Sequence, residues 1–190
     1  GTAEPRRAMA AWYAQMVKNA RKNPKAQEFS NTTEDLEAQG ETPPNPKVFC
    51  EHINFFDCSK VSDAASAIIV ASAEGLERLG VSLADCVPLA GLAQVEDDIS
   101  TPPPDLASLE TTRRAAAAAL EMAGARPNQL GLLEVHDCFS ITGLLALEAV
   151  GLAQPGQGPA FVLAGKIAPE GEVPTNATGG LIGYGHPPGA

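Results

Sequence analysis

The sequence predicts an α/β fold in which helices alternate with the strands of a central sheet. Three observations favour this class: short apolar segments alternate with longer helical patterns, small residues such as Gly (18 residues) are plentiful, and aromatic residues make up only 5% of the chain. Small side chains let helices pack closely on a sheet, whereas a β-sandwich would show many short alternating strands. A length of 190 residues suits one domain, and no internal repeat is visible.

The N-terminal part predicts a helix followed by a long polar connector. Apolar residues recur at helical spacing between Pro5 and Lys22, and basic residues give this helix a charged face that meets either solvent or an anion. Residues 23–46 are rich in Pro, Thr and Glu and predict a loop with a short helix at 33–38. A connector this long is unusual inside a compact domain, so we expect it to cover another part of the protein.

The next segment predicts a strand and two helices. Residues 48–57 mix Val, Phe and Ile with polar residues, which is typical of a strand. Ser62-Asp63 offers an N-cap to residues 64–72, which are small and apolar all round and predict a buried helix or a helix start that runs into a buried strand. Residues 74–79 predict a short amphipathic helix that ends at Gly80.

The C-terminal half continues the alternation. Strands are predicted at residues 87–95, 130–135 and 161–164. Helices are predicted at residues 106–123 and 139–150, where Gly124 and Gly151 stop them. A break at Thr101-Pro102-Pro103-Pro104 separates the first of these strands from the first helix.

The composition excludes several classes of partner. The formal net charge is −10 and no run of Lys and Arg could follow a phosphate backbone, so we expect no nucleic acid partner. The longest apolar stretch, residues 64–73, is too short to span a bilayer. The four cysteines show no CxxC spacing, so we expect free thiols and no metal site. No signal peptide is evident, and both ends look cut from a longer protein.

His136 and Cys138 occupy a place where α/β proteins put their chemistry, between a predicted strand and a predicted helix. Residues two apart on an extended backbone point the same way, so these two side chains could face one cavity. Backbone N–H groups at a helix start make a thiol more reactive, as a nucleophile or as an acid and base. The alternative is a small buried Cys138 and a structural His136.

A third candidate, His186, lies in the segment Gly-His-Pro-Pro-Gly. Glycine lets the backbone pass close to a ligand and proline restricts it, so His186 would be held rigidly. In that position it could activate a nucleophile or donate a hydrogen bond to a developing oxyanion. A turn histidine without chemistry is the alternative.

The C-terminal run combines Asn176, Gly179-Gly180 and Gly185-His186-Pro187 in one pattern that is far more specific than its parts. This run resembles the C-terminal signature of the thiolase superfamily. His136-Asp137-Cys138-Phe139 is similar to the variant that thiolases of the sterol-carrier-protein type have in place of Asn-Glu-Ala-Phe. Residues 58–67 are similar to the family segment Cys-x-x-x-Ser-Asp-Gly-Ala-Ala-Ala, with alanine where glycine is usual.

The resemblance implies a thiolase fold, layered α-β-α-β-α, of which this chain would be a fragment. Residues 1–46 would be a helical segment of the loop domain. Residues 47–80 would be the last strand and helix of the N-terminal half, and residues 81–190 an incomplete C-terminal half. Thiolases are similar in being dimers or tetramers, so the resemblance also implies a homodimer.

The implied activity is that of a 3-ketoacyl-CoA thiolase, an acyltransferase of lipid metabolism that works by Claisen condensation or thiolysis through an acyl-cysteine. That cysteine would precede Gly1. By the same resemblance His186 would activate it and help polarise the thioester carbonyl, His136 would be the second oxyanion donor, and Cys138 would be the acid and base at the α-carbon. The implied substrate contacts are Asn176, Gly180, Phe139 and Tyr184. Coenzyme A would be a substrate, and no metal or redox cofactor is implied.

Two alternatives remain open. A thiolase-like lipid-transfer protein can act as an aldolase on CoA thioesters, with Tyr184 as the candidate base. A non-catalytic subunit that binds acyl-CoA or a partner is the other. The basic helix at 5–22 and the loop to residue 46 would lie over the site and help receive CoA. Free thiols fit a peroxisome, a mitochondrion or the cytoplasm, and the first two are favoured for a eukaryotic source.

Overall fold

The computed structural model describes residues 3–103 and 105–187. Pro104 of the predicted break and the final Pro-Gly of the predicted Gly-His-Pro-Pro-Gly segment lie outside the described residues. The described part contains seven α-helices: α1 (Ala3–Ala20), α2 (Leu36–Gly40), α3 (Ala73–Leu79), α4 (Glu110–Ala123), α5 (Ser140–Val150), α6 (Gly158–Leu163) and α7 (Gly180–Gly183). Short 3₁₀ turns lie at Gln27–Ser30, Phe55–Asp57, Leu83–Asp85 and Pro127–Gln129.

Helix α1 forms the centre of the core. Trp12, Met16 and Val17 are fully buried on it, and α2, α5, α6 and α7 pack around it. Glycines make the closest approaches possible. Gly143 of α5 lies against the Trp12 ring with no room for a Cβ, and a Cβ on Gly183 of α7 would lie 2.6 Å from the Met16 carbonyl oxygen. The predicted helix is therefore confirmed, but most of its circumference is buried.

The basic side chains of α1 contact acidic groups of the following segments. Both terminal nitrogens of Arg6 lie 2.5 Å from the carboxylate oxygens of Asp57, which is fully buried. Lys18 lies 3.9 Å from Glu37 on α2. Helix α2 packs against α1, so the connector does fold back over another part of the chain. Arg6 consequently serves the fold and is not free to receive an anion.

The strands predicted at 48–57 and 161–164 are wrong, and the strand predicted at 130–135 is reduced to an isolated bridge at Leu133. Asn54 and Asp57 form a capping box around the 3₁₀ turn Phe55–Asp57, and such side-chain bonds to the backbone compete with a strand. Residues 158–163 form α6, in which a proline near the first position favours a helix start. In the described part, β-pairing is limited to three isolated bridges: Cys58 with Phe139, Val61 with His186, and Leu133 with Thr175.

The buried helix or strand predicted at residues 64–72 is wrong. Residues 63–71, called the open segment below, have no regular structure, and their side chains are exposed. Ile69, for example, is 89% exposed. Three successive β-branched residues disfavour a helix, while a strand needs a neighbour to bond its N–H and C=O groups. No backbone hydrogen bond from another part of the described chain reaches residues 63–71. The predicted strand at 87–95 is irregular for the same reason, although Gly91 lies against Ala119 of α4.

Several predicted helix ends are confirmed. Helices α3, α4 and α5 end at Gly80, Gly124 and Gly151, with φ of 67°, 62° and 90° respectively. Glycine adopts this left-handed conformation without the steric cost that a Cβ brings.

Helix α4 begins at Glu110, later than the predicted residue 106, because Leu109 before it has a positive φ of 44°.

Candidate active site

Two segments that are far apart in sequence bring His136 and His186 together. Their ring centroids lie 5.0 Å apart in an edge-to-face arrangement. The backbone places His186: its N–H donates to the Lys60 carbonyl oxygen at 2.7 Å, and its neighbour in the bridge is Val61. The structure thus gives the two imidazoles the proximity that a shared oxyanion site requires.

The segment that carries His136 is held by Asn176. Leu133 forms a parallel bridge with Thr175, and the Asn176 backbone N–H donates to the Leu133 carbonyl oxygen at 2.8 Å. The Asn176 amide then bonds both backbone groups of Val135, at 2.8 Å to the N–H and 3.1 Å to the carbonyl. Asn176 is fully buried, so its side chain orients the backbone before His136 and does not face an open cavity.

Ser59 connects the Cys138 segment to His186. Its backbone N–H donates to the Cys138 carbonyl oxygen at 2.9 Å, and its Oγ lies 3.2 Å from Nδ1 of His186. The Cys138 thiol is half-buried and lies 3.9 Å from the Thr142 hydroxyl on α5. The sequence analysis assigned no role to Ser59. Its position within the Cys-x-x-x-Ser-Asp family segment is the feature that could have indicated one.

A cavity of about 330 Å³ opens beside His136. Its lining is formed by Glu134, Val135, His136, Thr178, Gly180, Leu181, Tyr184 and Gly185. Three predicted site residues, His136, Gly180 and Tyr184, therefore share it, while four others lie outside its lining: Cys138, Phe139, Asn176 and His186. Glu134 is a cavity residue that the sequence analysis missed. Its carboxylate accepts a hydrogen bond from the Ala177 N–H at 3.0 Å, and loss of surrounding water raises its pKa.

The surroundings of His136, whose side chain stays partly exposed, favour the neutral form of its imidazole. Burial lowers the pKa of His136, and the neighbouring His186 lowers it further. A neutral imidazole near neutral pH still carries one ring N–H that can donate to an oxyanion. Cys58 next to the site is no candidate nucleophile, since burial and the nearby Asp57 carboxylate raise the pKa of its thiol to about 11.

The described residues offer no second kind of site of the metal-binding or membrane-spanning type. Across residues 3–103 and 105–187, no group of three or more His, Cys, Asp and Glu side chains is arranged to hold a metal ion. All four cysteines are free. Among the described residues there is also no helix with the length and apolar character needed to cross a membrane.

Comparison with known protein families matches residues 93–190 to the domain described as thiolase C-terminal domain-like. The chain belongs to the thiolase superfamily. An acetyl-CoA acetyltransferase of Methanothermobacter thermautotrophicus is 34% identical over 175 residues, which are 90% of this chain and 43% of that protein. Sterol carrier protein 2 of Oryctolagus cuniculus is 33% identical over 144 residues, 74% of this chain and 26% of that protein. The predicted sterol-carrier-protein type of thiolase fragment is thereby confirmed, and the chain spans less than half the length of these relatives.

A solved structure supports the thiolase fold independently. The "Ltp2-ChsH2(DUF35) aldolase" superposes with a TM-score of 0.78 at 22% identity, and the match covers 95% of this chain and 46% of that one. Identity at this level shows a shared fold only. The predicted fold class is therefore confirmed, although this thiolase chain on its own is rich in helix and poor in paired strands.

Proposed function

We propose that this chain supplies the histidine and thiol part of a thiolase active site, in a protein that makes or cleaves 3-ketoacyl-CoA. The contact between His136 and His186 carries the proposal. Cleavage of a carbon–carbon bond next to a thioester leaves negative charge on the thioester oxygen, and two N–H donors at one place stabilise such charge strongly. Relatives that include an acetyl-CoA acetyltransferase support the same class of reaction.

In the cleavage direction, a cysteine outside these 190 residues would attack the 3-keto carbonyl. His186 would take the proton of that cysteine. Since Ser59 lies at its Nδ1, Nε2 is the ring atom left for this transfer. The bond between the α- and β-carbons then breaks, and its electron pair moves to the thioester oxygen to form an enolate. Cys138 would deliver a proton to the α-carbon, and coenzyme A would take the acyl group from the cysteine. Condensation is the reverse sequence, and neither direction needs a metal or redox cofactor.

Substitution of Cys138 tests this proposal in the full-length protein. Loss of a positioned acid and base costs roughly 10²- to 10⁴-fold in rate, so Cys138→Ala should lower thiolysis of acetoacetyl-CoA and of longer 3-ketoacyl-CoA substrates by that order. Cys86→Ala is the matched control, because Cys86 is a free thiol bonded to the Ser82 carbonyl on a different loop. It should leave thiolysis unchanged. Undiminished thiolysis in Cys138→Ala would remove Cys138 from its assigned role.

The position of Tyr184 favours a second candidate function, an aldolase acting on CoA thioesters. Tyr184 lines the same cavity as His136 and Glu134. In its phenolate form it could take the proton of a 3-hydroxyl group and become the phenol, after which bond cleavage would release a carbonyl compound and the same thioester enolate. Tyr184→Phe separates the candidates. Loss of 3-hydroxyacyl-CoA cleavage favours the aldolase, and normal thiolysis of 3-ketoacyl-CoA in this variant favours the thiolase.

We also propose that the full-length protein is a homodimer. The open segment supports this, because its apolar side chains, Ile68 and Ile69 among them, are exposed here and would gain from burial. Light scattering of the full-length protein after size exclusion tests the proposal. A monomer at concentrations used for assay would contradict it.

A further inference from the structure

The side chain of Asp137 points into the core, between two residues assigned to the chemistry. Asp137 follows His136 and precedes Cys138, and its carboxylate is fully buried. One oxygen accepts a hydrogen bond from the Trp12 indole N–H at 2.9 Å, and the other accepts one from the Leu181 backbone N–H at 2.6 Å. Asp137 therefore connects the His136 segment to α1 on one side and to α7 on the other.

The contact with α7 is close enough to depend on glycine. Gly180 has a φ of 58°, and a Cβ there would lie 2.5 Å and 2.7 Å from the two carboxylate oxygens of Asp137. Helix α7 ends at Gly183, three residues before His186. The position of α7 against Asp137 therefore constrains the backbone that leads to His186, together with the hydrogen bond from the His186 N–H to the Lys60 carbonyl oxygen.

Asp137 differs from the buried carboxylate of Asp57. Asp57 is paired with the Arg6 guanidinium. Asp137 has no ion pair with any residue in the described ranges and is surrounded by neutral donors, including the Asn176 amide. Burial raises the pKa of Asp137 to about 7, although these donors act in the opposite direction. An unpaired buried carboxyl group is costly for a fold, which points to a role beyond stability.

We propose that Asp137 is a positioning residue that sets the distance and angle between the His136 and His186 rings by holding α7 against the His136 segment. The effect of this arrangement on catalysis rests on the proposed function. The positioning of the two rings by Asp137 does not depend on that function. Two acceptor oxygens are required, because two N–H donors from different elements converge on them. An amide offers one acceptor oxygen and would turn an NH₂ group toward the other donor.

The substitution Asp137→Asn tests the proposal through the histidines themselves. The chain has three histidines, so imidazole NMR signals are few, and His52 provides an exposed reference with a side chain 86% accessible. In the unmodified chain, the pKa of His136 should lie below the ordinary value for histidine, and its ring should show an Overhauser contact with the His186 ring. In Asp137→Asn, we expect the contact to disappear and the His136 pKa to rise toward the ordinary value for histidine. Unchanged contact and unchanged titration in a folded variant would overturn the proposal.

Trp12→Phe is the matched control. It removes one donor to Asp137 and some packing, but it leaves the bond from the Leu181 N–H intact. We expect this variant to be less stable while keeping the contact between the histidine rings. If both variants lose the contact equally, Asp137 acts only through core stability and the proposal fails. Should Asp137→Asn not fold, Gly180→Ala displaces α7 from an intact carboxylate, and a preserved ring contact in that variant would likewise overturn the proposal.

Kinetics separate this inference from the proposed function. Displacement of a catalytic group by about 1 Å can cost about 100-fold in rate, so Asp137→Asn in the full-length protein should lower kcat by that order with a smaller change in KM. If the ring contact is lost in Asp137→Asn while the unmodified full-length protein cleaves no 3-ketoacyl-CoA, the positioning role stands and the proposed function fails. A full kcat in a variant that has lost the contact would contradict the positioning role.

Discussion

The packed helices and the open segment differ in how their backbone groups are satisfied. Helix α1 and the helices around it form their hydrogen bonds within themselves and then bury their side chains against one another. Residues 63–71 are equally apolar, yet their side chains are exposed. A strand completes its hydrogen bonds only with a neighbour. The difference teaches that an apolar pattern predicts burial only where the chain also provides the partner that buries it.

The candidate site lies where these two regions meet. In the packed region, Thr175 and Asn176 hold the segment that carries His136. Helix α7, which precedes His186, is bonded to Asp137 in the same region. Two residues before the open segment are bonded to the site: the Ser59 N–H donates to the Cys138 carbonyl oxygen, and the Lys60 carbonyl oxygen accepts from the His186 N–H. The site is therefore anchored on its packed side, and the open segment begins directly beyond it.

Removal of the Trp12 ring should have the largest effect on the packed region. Trp12 is fully buried against Gly143 and also bonds Asp137. Truncation of a buried Trp to Ala typically costs 3–5 kcal/mol, so we expect Trp12→Ala to lower the free energy of unfolding by about 4 kcal/mol. Urea unfolding followed by circular dichroism measures this loss. A loss below about 1 kcal/mol would show that α1 is not the centre of the core.

The pair of Arg6 and Asp57 should give the next largest effect. Removing one partner of a buried ion pair leaves an uncompensated charge and costs about 3 kcal/mol, which is the loss we expect for Arg6→Met in urea unfolding. Among the described residues, Asp57 would keep two charge-neutral donors, the Ser140 hydroxyl and the Asn54 backbone N–H. Arg113→Met is the control, because its partner Glu110 is exposed to solvent and water replaces the interaction. Equal losses in both variants would contradict the distinction between them.

Helix ends could be predicted from the sequence because their cause is local. Gly80, Gly124 and Gly151 each adopt the left-handed conformation that a helix end favours.

The central position of α1 in the core could not be predicted from such local signals. Its Met and Trp residues indicate one apolar face, but Ala8, Ala14 and other small residues on the remaining faces are buried as well. Alanine carries little hydrophobic signal and only its neighbours show whether it is buried.

The sequence could predict those residues of the candidate site that belong to recognisable motifs. His136 and His186 were singled out on their motifs, and the structure brings their rings together. Ser59, Glu134 and Asp137 were not assigned any role, because these hydrogen bonds join them to residues between 43 and 127 positions away. The predicted strands also required pairing partners from distant parts of the sequence. Long-range contacts thus account for most of what sequence patterns missed.

Asp137 should make the stability of the packed region depend on pH. Its pKa in the fold is about 7, above the usual value of 3.8. Between these values the folded state retains a proton that the unfolded state releases, so this contribution is complete below about pH 4 and is lost as pH rises through about 7. The slope cannot exceed about 1.4 kcal/mol per pH unit for one group. Urea midpoints across this range should fall with pH, and Asp137→Asn should remove that part of the slope. Parallel curves for both proteins would contradict the assignment.

The smallest effect is expected in the open segment. Ile69 is 89% exposed, so Ile69→Ala removes few contacts and should change the free energy of unfolding of the 190-residue chain by less than about 0.5 kcal/mol. Ile182→Ala is the matched control on α7, where the side chain is fully buried and the same truncation should cost about 3 kcal/mol. Urea unfolding of both variants at several protein concentrations makes the comparison. A loss at Ile69 that approaches the loss at Ile182 and grows with concentration would mean that a second copy of the chain covers the open segment, since only association makes stability depend on concentration.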